Sequence, residues 1–486
     1  MKDFKKELGF LDSTMLVVGS MIGSGIFIVS ADIARNTGSA GYLILVWIIT
    51  GAVTCIGALS YGELAAMMPG AGGQYIYLRE AYNPMVGFLY GWTLFFVIQT
   101  GTISAVAVAF AKFASVFLPA LGEKNVIAVI FGFGMKGSHL TAIFSIMLLT
   151  YINSKGIHAG KLFQDGFTII KIAALIILIA VGFIIGWNPS AVESNLDGFW
   201  KSPPSMLSGF LASDAAWLAG LSVFAAVCVS MVGSLFSSDA WNNITFTAGE
   251  VVNPQRNIPL SLAVGTALVS LVYIAANLAY IVMLPVTGSR DAQDAFGRGI
   301  QFAADDRVAV AAVSQALGSA GSFFMAAVIM ISTLGCNNGL ILAGARVYYA
   351  MARDGCFFKK AGDLNSKNVP GFALIIQAVW SGILCLTGTY GELLDYVIFS
   401  VLIFYMLTVG GIFILRRKKP DAERPYRAFG YPLLPAAYIV AAFLISVNLL
   451  IFKPKYTWPG LLIVLAGVPV YFIWKKLSVT GGRKID

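Results

Sequence analysis

The stretch GSMIGSGIF at residues 19–27 interrupts a long apolar segment with three glycines and two serines. A second stretch, GSLFSSDAWN at residues 233–242, interrupts a later apolar segment with serines and an aspartate. Glycine disfavours a helix by about 1 kcal/mol relative to alanine, and serine and aspartate compete for backbone hydrogen bonds. Both stretches therefore predict unwound helix, which is tolerated at membrane depth where it lines a cavity or is buried in protein. Close helix packing is the alternative interpretation.

The composition indicates a polytopic α-helical membrane protein. Of the 486 residues, 58% are hydrophobic and 12% are charged, whereas a typical soluble domain has ~25% charged residues. The apolar residues form runs long enough to cross a bilayer, which takes about 20 residues. Such continuous runs exclude an outer-membrane β-barrel. The sequence has no P-loop, HExxH motif or Ser/His/Asp set, so we do not expect an enzyme.

We predict twelve transmembrane helices from the apolar runs. They lie at residues 13–36, 40–68, 84–118, 139–154, 158–187, 218–247, 258–286, 319–350, 370–389, 392–416, 432–451 and 457–475. The even number places both termini on one side of the membrane. Lysine and arginine are concentrated in the loops and tails of that side, which predicts cytoplasmic N- and C-termini. The two longest outer loops are 187–217 and 287–318.

The two breaks fall in spans one and six, at matching positions of two five-span halves. A pair of interrupted helices placed in this way is typical of inverted-repeat transporters. We predict a first repeat at 13–187, a second at 218–416 and two appended helices at 432–475, all within one transmembrane domain covering 1–486. Because each repeat has an odd number of spans, the second repeat is inverted relative to the first.

Helix ends at the breaks predict the chemistry of a ligand. A helix that begins after Gly25 offers free N–H groups and a positive dipole end, which suit a carboxylate. A half-helix that ends near residues 236–238 offers free carbonyl oxygens, which suit an ammonium group. Together these ends fit the zwitterionic head of an α-amino acid without a buried fixed charge pair.

Five stretches resemble the L-type amino acid transporter family of the amino acid–polyamine–organocation superfamily, in a prokaryotic-like form. They are Gly19–Phe27, Ser60–Pro84, Trp241–Pro259, Asn338–Gly355 and Arg416–Tyr426. The resemblance covers nearly the whole chain. It implies an all-α, LeuT-type fold of five plus five helices with broken helices 1 and 6, and a substrate site between spans 1, 3, 6, 8 and 10.

The resemblance also implies a site built largely from main-chain groups. The N–H groups of Ser24, Gly25 and Ile26 would bind the substrate carboxylate. The carbonyl groups of Met21 and Phe236, together with that of residue 239, would bind its ammonium. The other residues implied for the pocket or its gate are Ser237, Asp239, Trp241, Asn242, Asn337, Asn338 and Phe399.

Two charges lie inside the predicted spans. Lys171 in span 5 is a functional hypothesis by default, because a charge in an apolar run is costly. The resemblance implies that its ammonium replaces a sodium ion on the carbonyls of the first break, and snorkelling is the alternative. Three roles stay open for Asp239: favouring a cationic substrate, holding a proton, or capping the broken helix.

Other charges are expected to be structural. Lys112 is predicted to snorkel at the outer end of span 3. Glu63 and Arg346, and likewise Glu250 and Arg256, are predicted to form ion pairs near helix ends.

The sequence therefore predicts a sodium-independent secondary transporter of neutral L-amino acids that works by alternating access and exchange. A proton-coupled symporter, a uniporter and a transporter-like amino acid sensor remain alternatives. We expect a multi-pass protein of the cell inner or plasma membrane whose partners are the lipid bilayer and its substrate, without nucleic acid, cofactor or metal. Eukaryotic light chains of the family pair through a cysteine after span 3. Pro119–Ser138 has none, so the resemblance implies no disulfide-linked heavy chain.

Overall fold

A computed structural model describes residues 6–123, 125–130, 133–203 and 216–480. Residues 204–215 of the predicted 187–217 loop lie outside the described residues. The α-helices are α1 (Phe10–Met21), α2 (Ser30–Thr37), α3 (Ala40–Met67), α4 (Gln74–Ala81), α5 (Pro84–Thr93), α6 (Gln99–Ala114), α7 (Gly137–Ser154), α8 (Ile157–Ile184), α9 (Pro189–Leu196), α10 (Ala216–Ser237), α11 (Asn243–Phe246), α12 (Pro254–Met283), α13 (Ala295–Arg298), α14 (Val308–Arg353), α15 (Gly371–Thr387), α16 (Tyr390–Lys418), α17 (Leu433–Phe452) and α18 (Pro454–Thr480). A π-helix, Leu94–Ile98, joins α5 to α6, and 3₁₀ turns lie at Gly25–Phe27, Pro119–Leu121, Ala248–Glu250, Ala304–Asp306 and Lys359–Gly362.

The chain is an α-helical multi-pass membrane protein. Within the described ranges, nine helices or continuous helical runs are long and apolar enough to cross a membrane. α1 and α15 are apolar but shorter, at 12 and 17 residues. α1 is short because the first break ends it. α7 occupies the predicted fourth span, but serine, threonine, histidine and asparagine make it more polar, and the count of twelve stays a prediction.

One element corrects the all-α expectation. Strands β1 (Val126–Ile130) and β2 (Phe133–Lys136) form an antiparallel hairpin between α6 and α7. The sequence VIAVI of β1 is rich in β-branched residues, which favour strands. This local preference decides the structure here because the segment lies outside the helical bundle.

Both predicted breaks contain backbone that is not α-helical. α1 ends at Met21, and α2 begins only at Ser30 after the 3₁₀ turn. α10 ends at Ser237 and α11 begins at Asn243, with Ala240 between them at a φ of 63°. A third interruption lies at Gly318, whose φ of 64° kinks α14. Glycine adopts this left-handed conformation without steric cost.

Polar contacts join helices that are distant in sequence. α12 packs along α3 and α1, and α14 packs along α8 and α6. The hydroxyls of Thr50 and Ser234 lie 2.6 Å apart, and Asn153 Nδ2 donates to Asn338 Oδ1 at 2.8 Å. Such pairs hold helices together where lipid provides no hydrophobic force between them. They fix α10 against α3 and α14 against α7.

The end of the bundle that carries residues 6–9, 68–73 and 419–432 is called the N face, and the opposite end is called the far face. Glu63 lies at the N face, is 1% exposed and accepts two hydrogen bonds from Arg416, at 2.9 and 2.7 Å. The backbone N–H of Ala428 also donates to Glu63, at 2.7 Å. These bonds fasten the loop between α16 and α17 to α3.

A second buried ion pair on this side of the bundle joins Arg346 Nε to Glu250 Oε1 at 3.0 Å. Ion pairs were therefore predicted correctly, but their partners were wrong. Glu63 pairs with Arg416 and Glu250 pairs with Arg346, while Arg256 is exposed. Next to this pair, the N–H groups of residues 7 and 8 donate to the Glu250 carbonyl. The N-terminal segment is thus held against the 3₁₀ turn that follows α11.

Candidate functional site

The first break frees the carbonyl groups of residues 19–23 from the helical hydrogen-bond pattern, and side chains of three other helices donate to them. Lys171 on α8 is fully buried, and its ammonium donates to Gly19 and, at 2.9 Å, to Ile22. The other donors are Cys336 to Ser20 at 3.0 Å, Tyr273 to Met21 at 3.1 Å and Ser332 to Gly23 at 3.1 Å. The fixed ammonium on two converging carbonyls has the chemistry of a bound cation.

The main-chain N–H groups that follow differ from these carbonyls in their hydrogen bonding. Within the described part of the chain, the N–H groups of Ser24, Gly25 and Ile26 contact no backbone or side-chain acceptor. All three residues are buried. Buried N–H groups without partners are costly in apolar surroundings, and they form an anion site when they converge. Other atoms of the same residues do have partners. Ser24 Oγ lies 3.0 Å from the Tyr390 hydroxyl, and Tyr280 donates to the Ile26 carbonyl at 3.3 Å.

The two breaks touch each other at Gly25 and Ser237. A Cβ atom placed on Gly25 would lie 2.0 Å from Ser237 Oγ and 3.0 Å from Ser237 Cα. The hydroxyl of Tyr273 bridges the breaks, because it lies 3.1 Å from both the Met21 and the Ser237 carbonyl oxygens. Glycine is therefore required at residue 25 by close approach and not by backbone conformation.

A small cavity lies beside the second break, next to Asp239. It measures about 20 Å³, enough for about one water molecule and too small for an amino acid. Its polar lining is Gln74, Gln99, Thr102, Asp239, Asn242 and Asn243. Tyr405 donates to Asp239 Oδ1 at 2.5 Å, and Asn242 donates to Gln74 Oε1 at 3.0 Å. The cavity must widen before it can receive a substrate.

On the far face, a basin of about 490 Å³ is lined by Tyr390 and by residues close to the breaks, among them Val29 and Gly233. The Tyr390 ring meets the Phe236 ring edge-on, with centroids 6.1 Å apart. Together with the Tyr390–Ser24 contact, these rings close the route between the basin and the breaks. Lys112 also lines this basin: the residue is 9% exposed, and its Nζ lies 3.8 Å from Asp306, so a buried stem carries the ammonium to the polar far face, as snorkelling predicts.

Four predicted side chains make contacts away from the point where the two breaks meet. Trp241 packs among aromatic rings, 4.8 Å from the Tyr61 ring centroid and 5.2 Å from that of Tyr405. Asn337 donates to the Ile103 carbonyl at 3.2 Å. Asn338 is bonded to Asn153 on α7, as described above. Phe399 faces Gly460 on α18, where an added Cβ would lie 3.6 Å from its ring.

Residues that sequence analysis did not select complete the site. Tyr273, Ser332 and Cys336 bind the carbonyls of the first break, and Tyr390 covers the far-face side. Each of the four stands in an apolar helix without a motif. Their shared signal is a polar atom within a buried stretch, which many structural residues of the chain also have.

Comparison with known proteins gives consistent results over nearly the whole chain. The amino acid permease family profile matches residues 8–473. The mouse large neutral amino acids transporter small subunit 2 is 29% identical over 471 residues, which cover 96% of this chain and 81% of the relative. The human b(0,+)-type amino acid transporter 1 is 27% identical, covering 99% and 90%. The human Asc-type amino acid transporter 1 is 28% identical, covering 96% and 82%.

Proposed function

This chain belongs to the amino acid permease family, and we propose that it is a sodium-independent exchanger of neutral L-amino acids. One observation carries the proposal. Three unpartnered N–H groups, at Ser24, Gly25 and Ile26, lie directly after carbonyls that a fixed ammonium already occupies. That arrangement offers hydrogen-bond donors to a carboxylate and supplies the cation from within the chain.

The substrate carboxylate would accept hydrogen bonds from these three N–H groups. Its ammonium would bind the carbonyl groups of Met21, Phe236 and Asp239, which retain capacity because a carbonyl oxygen has two lone pairs. In this arrangement the zwitterion joins the two breaks, and its side chain points toward the cavity beside Asp239. The names of the relatives, which include large neutral amino acids, support a neutral substrate.

Alternating access would follow from contacts that differ between states. The Tyr390–Phe236 pair would open toward the basin, and the Asn242–Gln74 contact would open toward the N face. A ligand shifts such an equilibrium only through its differential affinity for the two states. If the empty carrier reorients slowly, the return step requires a second amino acid, and exchange results.

The architecture proposed with this function is the LeuT-type fold with twelve spans. Its repeats are 13–187 and 218–416, followed by 432–475. We place the termini in the cytoplasm and the protein in the cell inner or plasma membrane. The basic run Arg416–Lys419 on the N face supports that orientation by the positive-inside rule. The far face is then the outer face.

The mouse relative is named a small subunit, which indicates an assembly for that protein. For this chain we propose function without a disulfide-linked heavy chain. Pro119–Ser138, the segment after the third predicted span, contains no cysteine.

The direct test is uptake of radiolabelled amino acids into proteoliposomes in sodium-free buffer. Alanine, serine, leucine, tyrosine, arginine and glutamate would be compared, with and without unlabelled amino acid inside. We expect neutral amino acids to be taken up and internal substrate to stimulate uptake about tenfold or more, with no further stimulation by sodium. Protein-free liposomes and internal glutamate serve as controls.

The alternatives give different results in the same vesicles. Uptake that ignores internal substrate but follows an imposed proton gradient would replace exchange by proton symport. Uptake that ignores both would indicate a uniporter. Saturable binding without uptake would indicate a sensor. A strict sodium requirement would contradict the role proposed for Lys171.

Asp239 provides a prediction about selectivity. Its carboxylate lines the small cavity and accepts one hydrogen bond from Tyr405. We expect Asp239→Asn to lower the ratio of arginine to leucine uptake about tenfold, because a hydrogen bond to a charged group contributes ~1.5–3 kcal/mol. The matched control is Asp395→Asn, which changes another buried aspartate, 7% exposed, in the far-face basin. If the ratio does not change in Asp239→Asn, the carboxylate does not select substrate charge.

A further inference from the structure

A second far-face cavity lies beside the basin. It is a crevice of about 480 Å³ between the π-helix–α6 region, the end of α15, the start of α16 and the start of α18. Its lining residues are Phe96, Val97, Gly101, Leu384, Thr387, Gly388, Glu392, Leu393, Tyr396, Val397, Lys455, Tyr456, Pro459 and Ile463. Most of these side chains are apolar. Phe96 and Val97 come from the π-helix, and the charged residues Glu392 and Lys455 lie at the starts of their helices.

The mouth of the crevice has a defined polar arrangement. The Glu392 carboxylate accepts hydrogen bonds from the Thr389 N–H and hydroxyl at 3.0 and 3.1 Å and from the Tyr456 hydroxyl at 2.8 Å. Lys455 Nζ lies 3.4 Å from the same carboxylate and 2.9 Å from the Tyr456 hydroxyl. With a side chain that is 74% exposed, the Lys455 ammonium is the accessible charge at the mouth. Glu392 already has its partners.

We propose that the crevice binds one glycerophospholipid, with an acyl chain between the helices and the phosphate at Lys455. An apolar crevice between membrane-spanning helices can hold an acyl chain through close packing, since a chain that comes from the bilayer gains van der Waals contacts and not burial from water. Tyr396 and Tyr456 meet edge-on at 5.7 Å beside the mouth, in the amphipathic setting where tyrosine marks a membrane interface. The Lys455 ammonium contacts the Glu392 carboxylate and the Tyr456 hydroxyl but stays largely exposed, so it can also bind an anion at the mouth, and phosphate is the anion that every such lipid carries.

The site lies against the transport route without being part of it. Glu392 and Tyr456 line both the crevice and the far-face basin. Helix α16 therefore presents Tyr390 to the route on one side and Tyr396 to the lipid on another. If the far face is the outer face, as proposed above, the lipid belongs to the outer leaflet. The lipid site itself does not depend on amino acid exchange.

The test uses phosphatidylglycerol with a photoreactive diazirine near the end of one acyl chain, mixed into proteoliposomes of the full-length protein. After illumination, labelled peptides are mapped by mass spectrometry. We expect label to concentrate on the π-helix and on α18 near Ile463. Thr387→Trp fills the mouth and is expected to reduce that label several-fold. Ile383→Trp is the matched control, because Ile383 is an exposed residue of the same helix outside the crevice.

A second pair of variants tests the phosphate contact. Lys455→Gln is expected to lower labelling of the crevice about fivefold, while Lys475→Gln, at the other end of α18, is expected to leave it unchanged. The proposal is overturned if Thr387→Trp labels like Ile383→Trp, if Lys455→Gln has no effect, or if the crevice residues cross-link to a second copy of the chain instead of lipid. Labelling requires no transport, so these results stand whether or not exchange is observed.

Discussion

Replacing Gly25 by alanine is expected to lower amino acid exchange at least about tenfold while leaving the protein inserted and folded. The added Cβ would lie 2.0 Å from Ser237 Oγ, 2.7 Å from Ser237 Cβ and 3.0 Å from Ser237 Cα. A new rotamer of Ser237 moves only the first of these atoms. The two breaks must therefore separate, and the N–H groups of residues 24–26 move with them. Overpacking of this kind costs about 1–3 kcal/mol in stability.

We expect Gly25→Ala to reduce the uptake rate more than its effect on the free energy of unfolding would explain, because the displaced N–H groups are those proposed to bind the carboxylate. We expect uptake at least about tenfold below that of the parent protein, equal to 1.4 kcal/mol or more. Gly382→Ala is the matched control: Gly382 also lies within a membrane helix, but its added Cβ meets only Ile143, at an ordinary 3.8 Å. Uptake would be measured at equal amounts of monodisperse protein.

A compensating variant separates steric contact from other causes. Ser237→Gly removes the Oγ and Cβ atoms that Gly25→Ala would strike, so the double variant is expected to recover part of the uptake. Normal uptake by Gly25→Ala alone would mean that the breaks do not touch in the working cycle. Failure of the double variant to exceed Gly25→Ala would assign the loss to residue 25 itself.

The sequence predicted the breaks because their cause is local. Glycine, serine and aspartate within an apolar run destabilise helix wherever the run packs, and the structure has non-helical backbone at both places. Amino acid transport was likewise predicted from these breaks and the resemblance, and family membership agrees with it. The hairpin β1–β2 was missed although its cause is also local, because a short strand outside the bundle resembles an ordinary loop between two apolar runs.

The partners of the breaks could not be predicted in the same way. Tyr273, Ser332 and Cys336 reach the first break from helices at least 230 residues away in sequence. Helical periodicity places a residue on a face but does not state which carbonyl that face meets. The same limit explains why Glu63 and Arg346 were assigned the wrong partners. Burial of each charge could be expected, whereas the choice among several cations and acids at one end of the bundle depends on how the helices cross.

Lys171 and Lys112 illustrate the difference between what the local sequence predicts and what depends on how the helices pack. Both are lysines in apolar helices, and the sequence alone allows snorkelling for each. In the structure the Lys171 ammonium meets the carbonyls of a break inside the bundle, whereas the Lys112 ammonium reaches Asp306 at the far face. Resemblance supplied the expectation for Lys171, whereas Lys112 belonged to no motif. The acid that Lys112 meets is 194 residues away, in a loop whose position no periodic pattern fixes.

Replacing Lys171 by methionine is expected to lower exchange at least tenfold while the protein still inserts. Methionine keeps most of the side-chain volume, so the change removes the charge and its hydrogen bonds with little loss of packing. The carbonyls of Gly19 and Ile22 would then be buried without that donor, at a cost of about 1–3 kcal/mol each. The first break would lose the tie that holds it to α8, and the adjacent N–H groups would lose their fixed position.

Lys112→Met is the matched control for this variant, since it removes a buried lysine that contacts Asp306 at the far face and no carbonyl of the breaks. Uptake would be compared in sodium and in choline buffer for the parent and both variants. Equal parent rates in the two buffers, together with a loss confined to Lys171→Met, are expected if the ammonium fills the place of an ion. A parent rate that rises strongly with sodium would show that the chain still needs an external cation. Full exchange by Lys171→Met would show that the ammonium–carbonyl contacts stabilise the break without serving transport. The fixed ammonium next to the proposed carboxylate site would then no longer support the proposed transport mechanism.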